Sequence, residues 1–113
     1  MIALRYIKSL VDESLEIDIS DNNRQRKYSD GRALYYVLCR EFTSYTLNDI
    51  GKEVNRDHST VVHGVQNIFH LVDKMLYTQL RNQIVEYFNI ETQVIYKKIW
   101  VQNIMGGQTT LRG

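Results

Sequence analysis

Apolar residues at Val61, Val65, Ile68, Phe69, Val72 and Leu76 recur at i, i+4, i+7, i+8, i+11 and i+15. That interval follows the 3.6-residue turn of an α-helix and no strand period, so it predicts a long helix with one buried stripe. The chain has no proline and only six glycines, so few positions interrupt such a helix. The same spacing recurs elsewhere. Residues 2–16 place Ile2, Leu4, Ile7, Leu10, Val11 and Leu15 three or four apart, and "IDISDNN" then breaks the pattern. Residues 30–43 carry a stripe of Ala33, Leu34, Val37, Leu38 and Phe42, with Asp30 as N-cap. Residues 46–54 open on a Thr46…Asp49 pair that resembles a capping box; Leu47, Ile50 and Val54 form the apolar face, and the helix ends near Asn55. A fourth helix starts at about Asp57 and carries the long stripe. Residues 78–104 are helical again, as one helix or as two broken near Asn89.

The expected fold is all-α: a helix-turn-helix core within five to six helices, followed by a C-terminal helical extension. The expected division is a domain over residues 1–89, the extension over 90–105 and a flexible tail over 106–113. Val94, Ile95, Ile99, Trp100 and Ile104 give the extension an apolar face. Packing of that face onto its own domain is the default; a homodimer or partner-protein interface through residues 90–105 is the alternative. With 113 residues, one domain is the natural count. No apolar run approaches the ~18 residues of a membrane span, and the N-terminus lacks the features of a signal peptide. Cys39 stands alone, which excludes an internal disulfide and fits a reducing compartment. A cytoplasmic, nucleoid-associated protein without a cofactor is expected.

A net charge of +1 does not announce a nucleic-acid partner. The distribution is more informative. Arg5 and Lys8 are outnumbered by Asp12, Glu13, Glu16, Asp18 and Asp21, whereas Arg24, Arg26, Lys27 and Arg32 stand against Asp30 alone. A short basic loop flanked by Asn, Gln and Ser suits phosphate contact; an ordinary solvated loop looks the same.

The front of the fourth helix reads Arg56-Asp57-His58-Ser59-Thr60. On a helix, Arg56, Thr60, His63 and Asn67 form a second, outward stripe, and Asp57, His58 and Ser59 point out from the first turn. In a helix-turn-helix these are the positions that enter the major groove. Aspartate accepts from a cytosine amino group, threonine offers a methyl and a hydroxyl, and histidine donates or accepts by tautomer. Arg56 can hold a phosphate beside the free N–H groups of the helix start. Taken singly, Asp57, Ser59 and Thr60 are also ordinary capping residues. His58 and His63 are five apart, which does not put two metal ligands on one helix face, and no HExxH occurs. No nucleophile elbow and no GxxxxGK[ST] phosphate loop is present, so catalysis and nucleotide hydrolysis lack support.

"IGKEVNRDHSTVVHGVQNI", preceded by "LCREFTSYTLND" and by the basic "RQRKYSDGR", resembles the C-terminal DNA-binding domain of the bacterial replication initiator DnaA. The resemblance covers roughly residues 5–88, and its RDHST block in register with Leu-x-x-Ile-Gly is highly specific. It implies a Trp-repressor-like helix-turn-helix that binds double-stranded DNA at an initiator-box-like site. It also implies base contacts from Arg24 in the minor groove and from Asp57, His58 and Ser59 in the major groove. Phosphate contacts would come from Arg26, Lys27, Arg32, Leu47, Asn48, Arg56, Thr60 and His63. Three departures stand out. The turn "EVNRDH" is one residue shorter than usual, so Asn55 must supply a positive φ that glycine normally gives. Asp30 and Asn67 replace residues that are often basic, which weakens phosphate binding. The module begins almost at Met1, so the ATPase domain of a full initiator is not expected, nor its activity. The competing expectation is an adaptor that keeps the fold and has lost specific DNA binding.

Overall fold

A computed structural model describes the backbone of residues 2–105 and the side chains of residues 2–89. The chain divides into two compact units, Met1–Arg81 and Asn82–Gly113. In the first unit, α1 (Leu4–Leu15), α2 (Arg26–Phe42) and α3 (Leu47–Lys52) are followed by α4, which begins as an α-helix at His58–His63. α4 widens into a π turn over Gly64–Ile68 and tightens into a 3₁₀ turn over Phe69–Leu71. α5 runs from Lys74 to Met105 without a break near Asn89, and carries the chain into the second unit, whose described backbone is helical to Met105. The apolar face expected on residues 94–104 lies outside the described side chains, and the tail at 106–113 outside the described residues. All described elements are helical, as the sequence predicts, and among the described residues no helix is long and apolar enough to cross a membrane.

α1 buries Leu4, Ile7 and Val11, its heptad-like stripe, against α2. It ends where Glu16 turns left-handed, at φ 57°, while Ile17 N–H and the cap N–H both return to the Asp12 carbonyl. That closure folds the next segment back and seats Ile19 at full burial.

α2 starts four residues earlier than its apolar stripe predicts. Gln25 holds the N-cap position, and Asp30 is an interior residue that pairs with Arg26 at 3.3 Å rather than a cap. The "SDG" triplet reads locally as a helix start, but Gly31 is buried inside the helix. A Cβ there would lie 2.9 Å from Ile19 Cγ2 and 3.0 Å from Leu15 Cδ1. Close approach of α1 and its following loop uses that glycine, so tertiary packing carries the helix through a local turn signal. Of the basic segment, only residues 22–25 remain loop, and Arg26, Lys27 and Arg32 are helical.

α2 is the central element. Ala33, Leu34, Tyr35, Tyr36, Leu38 and Cys39 are all buried along it. Tyr35 O–H donates to the Ile50 carbonyl at 2.9 Å, which fastens α2 to α3 through the core. Burial also pushes the Cys39 thiol far above its usual range, so it is an inert core residue.

α3 is capped as its sequence indicates: Asp49 N–H donates to Thr46 Oγ1 at 3.1 Å. The turn to α4 is closed by Val54 N–H and Arg56 N–H, both donated to the Gly51 carbonyl, and by Asn55 N–H to the Lys52 carbonyl. Asn55 has φ 58°, the left-handed geometry that the shortened turn demands. Asparagine tolerates it and a β-branched residue does not. Replacing Asn55 with Gly is expected to leave stability within about 0.5 kcal/mol, and Asn55→Val to cost roughly 1–2 kcal/mol. Urea unfolding of the two variants checks this, and equal midpoints would contradict it.

The predicted fourth helix does not reach Leu76. Val72 is extended, at ψ 147°, and the helix stops at Leu71. Val72 is buried, but half-buried Leu76 belongs to α5. The periodicity ran through the junction because two successive helices present apolar residues to the same core; spacing alone does not register a kink between them.

Candidate nucleic-acid interface

Asp57 caps α4. Its Oδ1 accepts from Thr60 N–H at 2.9 Å, Thr60 Oγ1 at 2.8 Å and Ser59 Oγ at 3.0 Å. These bonds, the Thr60 N–H first, hold the carboxyl below its ordinary range, so it is ionised throughout the neutral range. The hydroxyls of Ser59 and Thr60 are thereby turned toward the cap. Three of the residues expected at base edges or phosphates therefore also build the helix start, as the plainer view of them holds. Capping does not occlude these groups, because Asp57 and Ser59 are exposed and Asp57 Oδ2 has no protein partner among the described residues.

His58 is the first residue of α4, exposed, and without a hydrogen-bond or ion-pair partner among the described residues. His63 is exposed one face-turn further on, and its Nδ1 lies 3.0 Å from Asn67 Nδ2. Of the outward stripe expected from helical spacing, His63 and Asn67 are exposed, Thr60 is half-buried and Arg56 lies in the turn before the helix. Asn67 sits within a π turn that an α-periodic reading does not contain. Gly64 sits at the head of that turn with the buried Tyr36 ring against it: a Cβ would fall 2.6 Å from Tyr36 Cδ2. α4 thus lies closer to α2 than any side chain would permit.

Arg56 is half-buried at the turn. Its guanidinium donates to the carbonyls of Val54 at 2.9 Å and Asn55 at 3.1 Å, and across to Asp21 at 3.1 Å. Arg32 donates to the carbonyls of Ile19, Asp21 and Asn23 at 3.1–3.2 Å. Both guanidiniums therefore meet at the Asp21 carbonyl, and among the described residues neither pairs with a carboxylate. Burial, then repulsion from Arg56, holds Arg32 below the ordinary arginine value. The hydroxyl of Tyr36, fully buried and without a hydrogen-bond partner among the described residues, feels both arginines. The junction brings residues 21, 32 and 56 together and is not visible in any local motif. The only sequence hint was the excess of arginine over acid between residues 22 and 32.

The other expected contacts scatter around this centre. Arg24 is exposed in the loop before α2, with no partner among the described residues. Arg26, 70% exposed at its side chain, reaches Asp30 and the Leu71 carbonyl at 3.2 Å, while Lys27 is exposed beside it. Leu47 and the exposed Asn48 open α3. Among the described residues no three His, Cys, Asp or Glu side chains converge as a metal site.

Comparison with known proteins agrees with this geometry. The family model described as "Bacterial dnaA protein helix-turn-helix" matches residues 4–68. The chain is 46% identical over 52 residues to the chromosomal replication initiator protein DnaA of Lachnoclostridium phytofermentans, covering 45% of this chain and 12% of that protein. It is 36% identical over 87 residues to the protein of the same name from Oleidesulfovibrio alaskensis, covering 77% and 18%, and 38% identical over 74 residues to that of Ruegeria sp., covering 62% and 16%. The chain thus corresponds to less than a fifth of the length of these relatives. No solved structure matches it significantly. A family model spanning α1 through the π turn of α4, on a chain folded as a helix-turn-helix, establishes that this protein belongs to the bacterial DnaA helix-turn-helix family.

Proposed function

We propose that the protein binds double-stranded DNA sequence-specifically at an initiator-box-like site, and so regulates replication initiation or transcription without hydrolysing nucleotide. The observation that carries this is the tip of α4: His58 and Ser59 are exposed on a helix start held rigid by the Asp57 cap. Rigid helix-tip polar groups are what base-edge recognition requires. In this arrangement α4 enters the major groove, with Asp57, His58 and Ser59 toward the bases. Arg24, on its exposed loop, enters the adjacent minor groove. Arg26, Lys27, Arg56 and the first turn of α3, at Leu47 and Asn48, face the backbone, together with Thr60 and His63. Arg32 contributes positive potential while its donors brace the loop.

The test is binding to duplexes carrying an initiator-type box against scrambled duplexes, across a salt series. His58→Ala and Arg24→Ala are each expected to cost roughly 1–3 kcal/mol on the preferred site. Equal binding of box and scrambled duplex at moderate salt, with His58→Ala silent, would reject specific reading. One observation favours a second role as an adaptor: Leu71 and Met75 are 51% and 73% exposed. Under that alternative, polar substitution of both abolishes partner capture, and box and scrambled duplexes bind alike in wild type and variant.

A further inference from the structure

We infer that Asn67 is a positioning residue for His63: its side-chain amide donates to Nδ1 and so holds the ring in the tautomer that presents Nε2–H to a DNA phosphate. The inference rests on the DNA-binding function proposed above, and no family comparison assigns Asn67 a role. The two side chains are exposed, four residues apart, with Nδ2 3.0 Å from Nδ1 across the π turn. A neutral imidazole donates from one nitrogen and accepts at the other. An amide N–H aimed at Nδ1 requires that nitrogen to be bare, which places the proton on Nε2.

The consequence is chemical. Phosphate oxygens only accept, so a neutral histidine reaches them only through a protonated nitrogen. With Nδ1 accepting from Asn67, Nε2 carries the proton, and the ring can donate to a phosphate without first acquiring a charge. Among the described residues no carboxylate pairs with His63, so Asn67 is the group that orients it. A flipped amide would present its oxygen to Nδ1–H and leave Nε2 as an acceptor facing the phosphate. The two orientations therefore make opposite demands on the ring. Asn67 thus recovers, by orienting a neutral donor, part of what a basic residue at that position would contribute through charge.

The test uses the full chain labelled with nitrogen-15. Long-range proton–nitrogen correlation spectra are recorded well above the pH range in which imidazoles ordinarily titrate, with the His63 signals assigned by their loss in His63→Gln. The expected spectrum has the proton on Nε2 and Nδ1 shifted as a hydrogen-bond acceptor. Asn67→Ala removes that shift, and Asn67→Asp, whose carboxylate can only accept, moves the proton toward Nδ1. A wild-type ring protonated on Nδ1, or a ring indifferent to Asn67→Ala, overturns the inference. In duplex titrations Asn67→Ala and His63→Ala each weaken binding about 3- to 10-fold, and the double variant is no weaker than the worse single. Additive losses also overturn it. A wild type that binds no duplex sinks the DNA function, whereas the ring spectrum decides independently whether Asn67 sets the tautomer.

Discussion

Gly51→Ala is expected to lower the unfolding midpoint by roughly 10 °C, a loss of about 2 kcal/mol, and to abolish box-specific DNA binding with it. Helix propensity argues the other way, since alanine in a helix is favoured over glycine by about 1 kcal/mol. The geometry decides between them. A Cβ on Gly51 would stand 2.5 Å from the Arg56 carbonyl oxygen, 3.2 Å from its carbonyl carbon and 3.0 Å from Val61 Cγ2. The first two are backbone atoms of the turn, held in place by the Arg56 N–H bond to Gly51's own carbonyl at 2.9 Å. No rotamer change relieves the overlap, so α3 and α4 must separate. That separation moves the α4 tip relative to the other residues proposed to face DNA. Thermal unfolding together with duplex titration checks both effects. A midpoint within about 2 °C of wild type would show that the turn yields more easily than its hydrogen bonding implies.

The second large effect is expected at Arg56. Arg56→Ala should weaken duplex binding about 10-fold or more, at box and scrambled sequences alike, and reduce the salt slope by about one. Its guanidinium has two roles. Two hydrogen bonds, to the Val54 and Asn55 carbonyls, close the turn on itself and a third ties it to the Asp21 loop, while in the arrangement proposed above its remaining donors face a phosphate. Arg56→Lys should recover little, because a single ammonium cannot serve three carbonyls at fork geometry and still reach a phosphate. Stability of the alanine variant should fall by about 1 kcal/mol, since these bonds are partly solvated. Affinity measured at several salt concentrations separates the roles. If the slope is unchanged, Arg56 only braces the turn and contributes no phosphate contact.

The helices were legible in the sequence wherever one stripe faces one core. α1, α3 and the first turns of α4 follow their apolar spacing closely, and the Thr46 and Asp57 caps follow from residue type. The positive φ of Asn55 was legible through the resemblance, because the turn is one residue shorter than the family's usual form and Asn55 must supply the geometry that glycine gives there. His58, placed at the helix tip from its position in the sequence, is the first residue of α4 and exposed.

What local spacing could not carry is equally specific. Asp30 looked like a helix start, and only the burial of Gly31 under Ile19 and Leu15 shows why the helix begins earlier. The apolar stripe through Leu76 hid the break at Val72, because a kink changes direction without changing which residues are apolar.

By itself, then, the order of residues determined an all-helical chain and a helix-turn-helix with a capped polar tip, because caps, turn length and 3.6-residue spacing act over a few neighbours; the resemblance to the family was carried by the RDHST block in register with Leu-x-x-Ile-Gly. Tertiary structure alone decided that two arginines 24 positions apart share the Asp21 carbonyl and that Gly64 presses α4 onto the Tyr36 ring. Each of those depends on how closely helices approach, and close approach is set by shapes that meet only after the chain has folded.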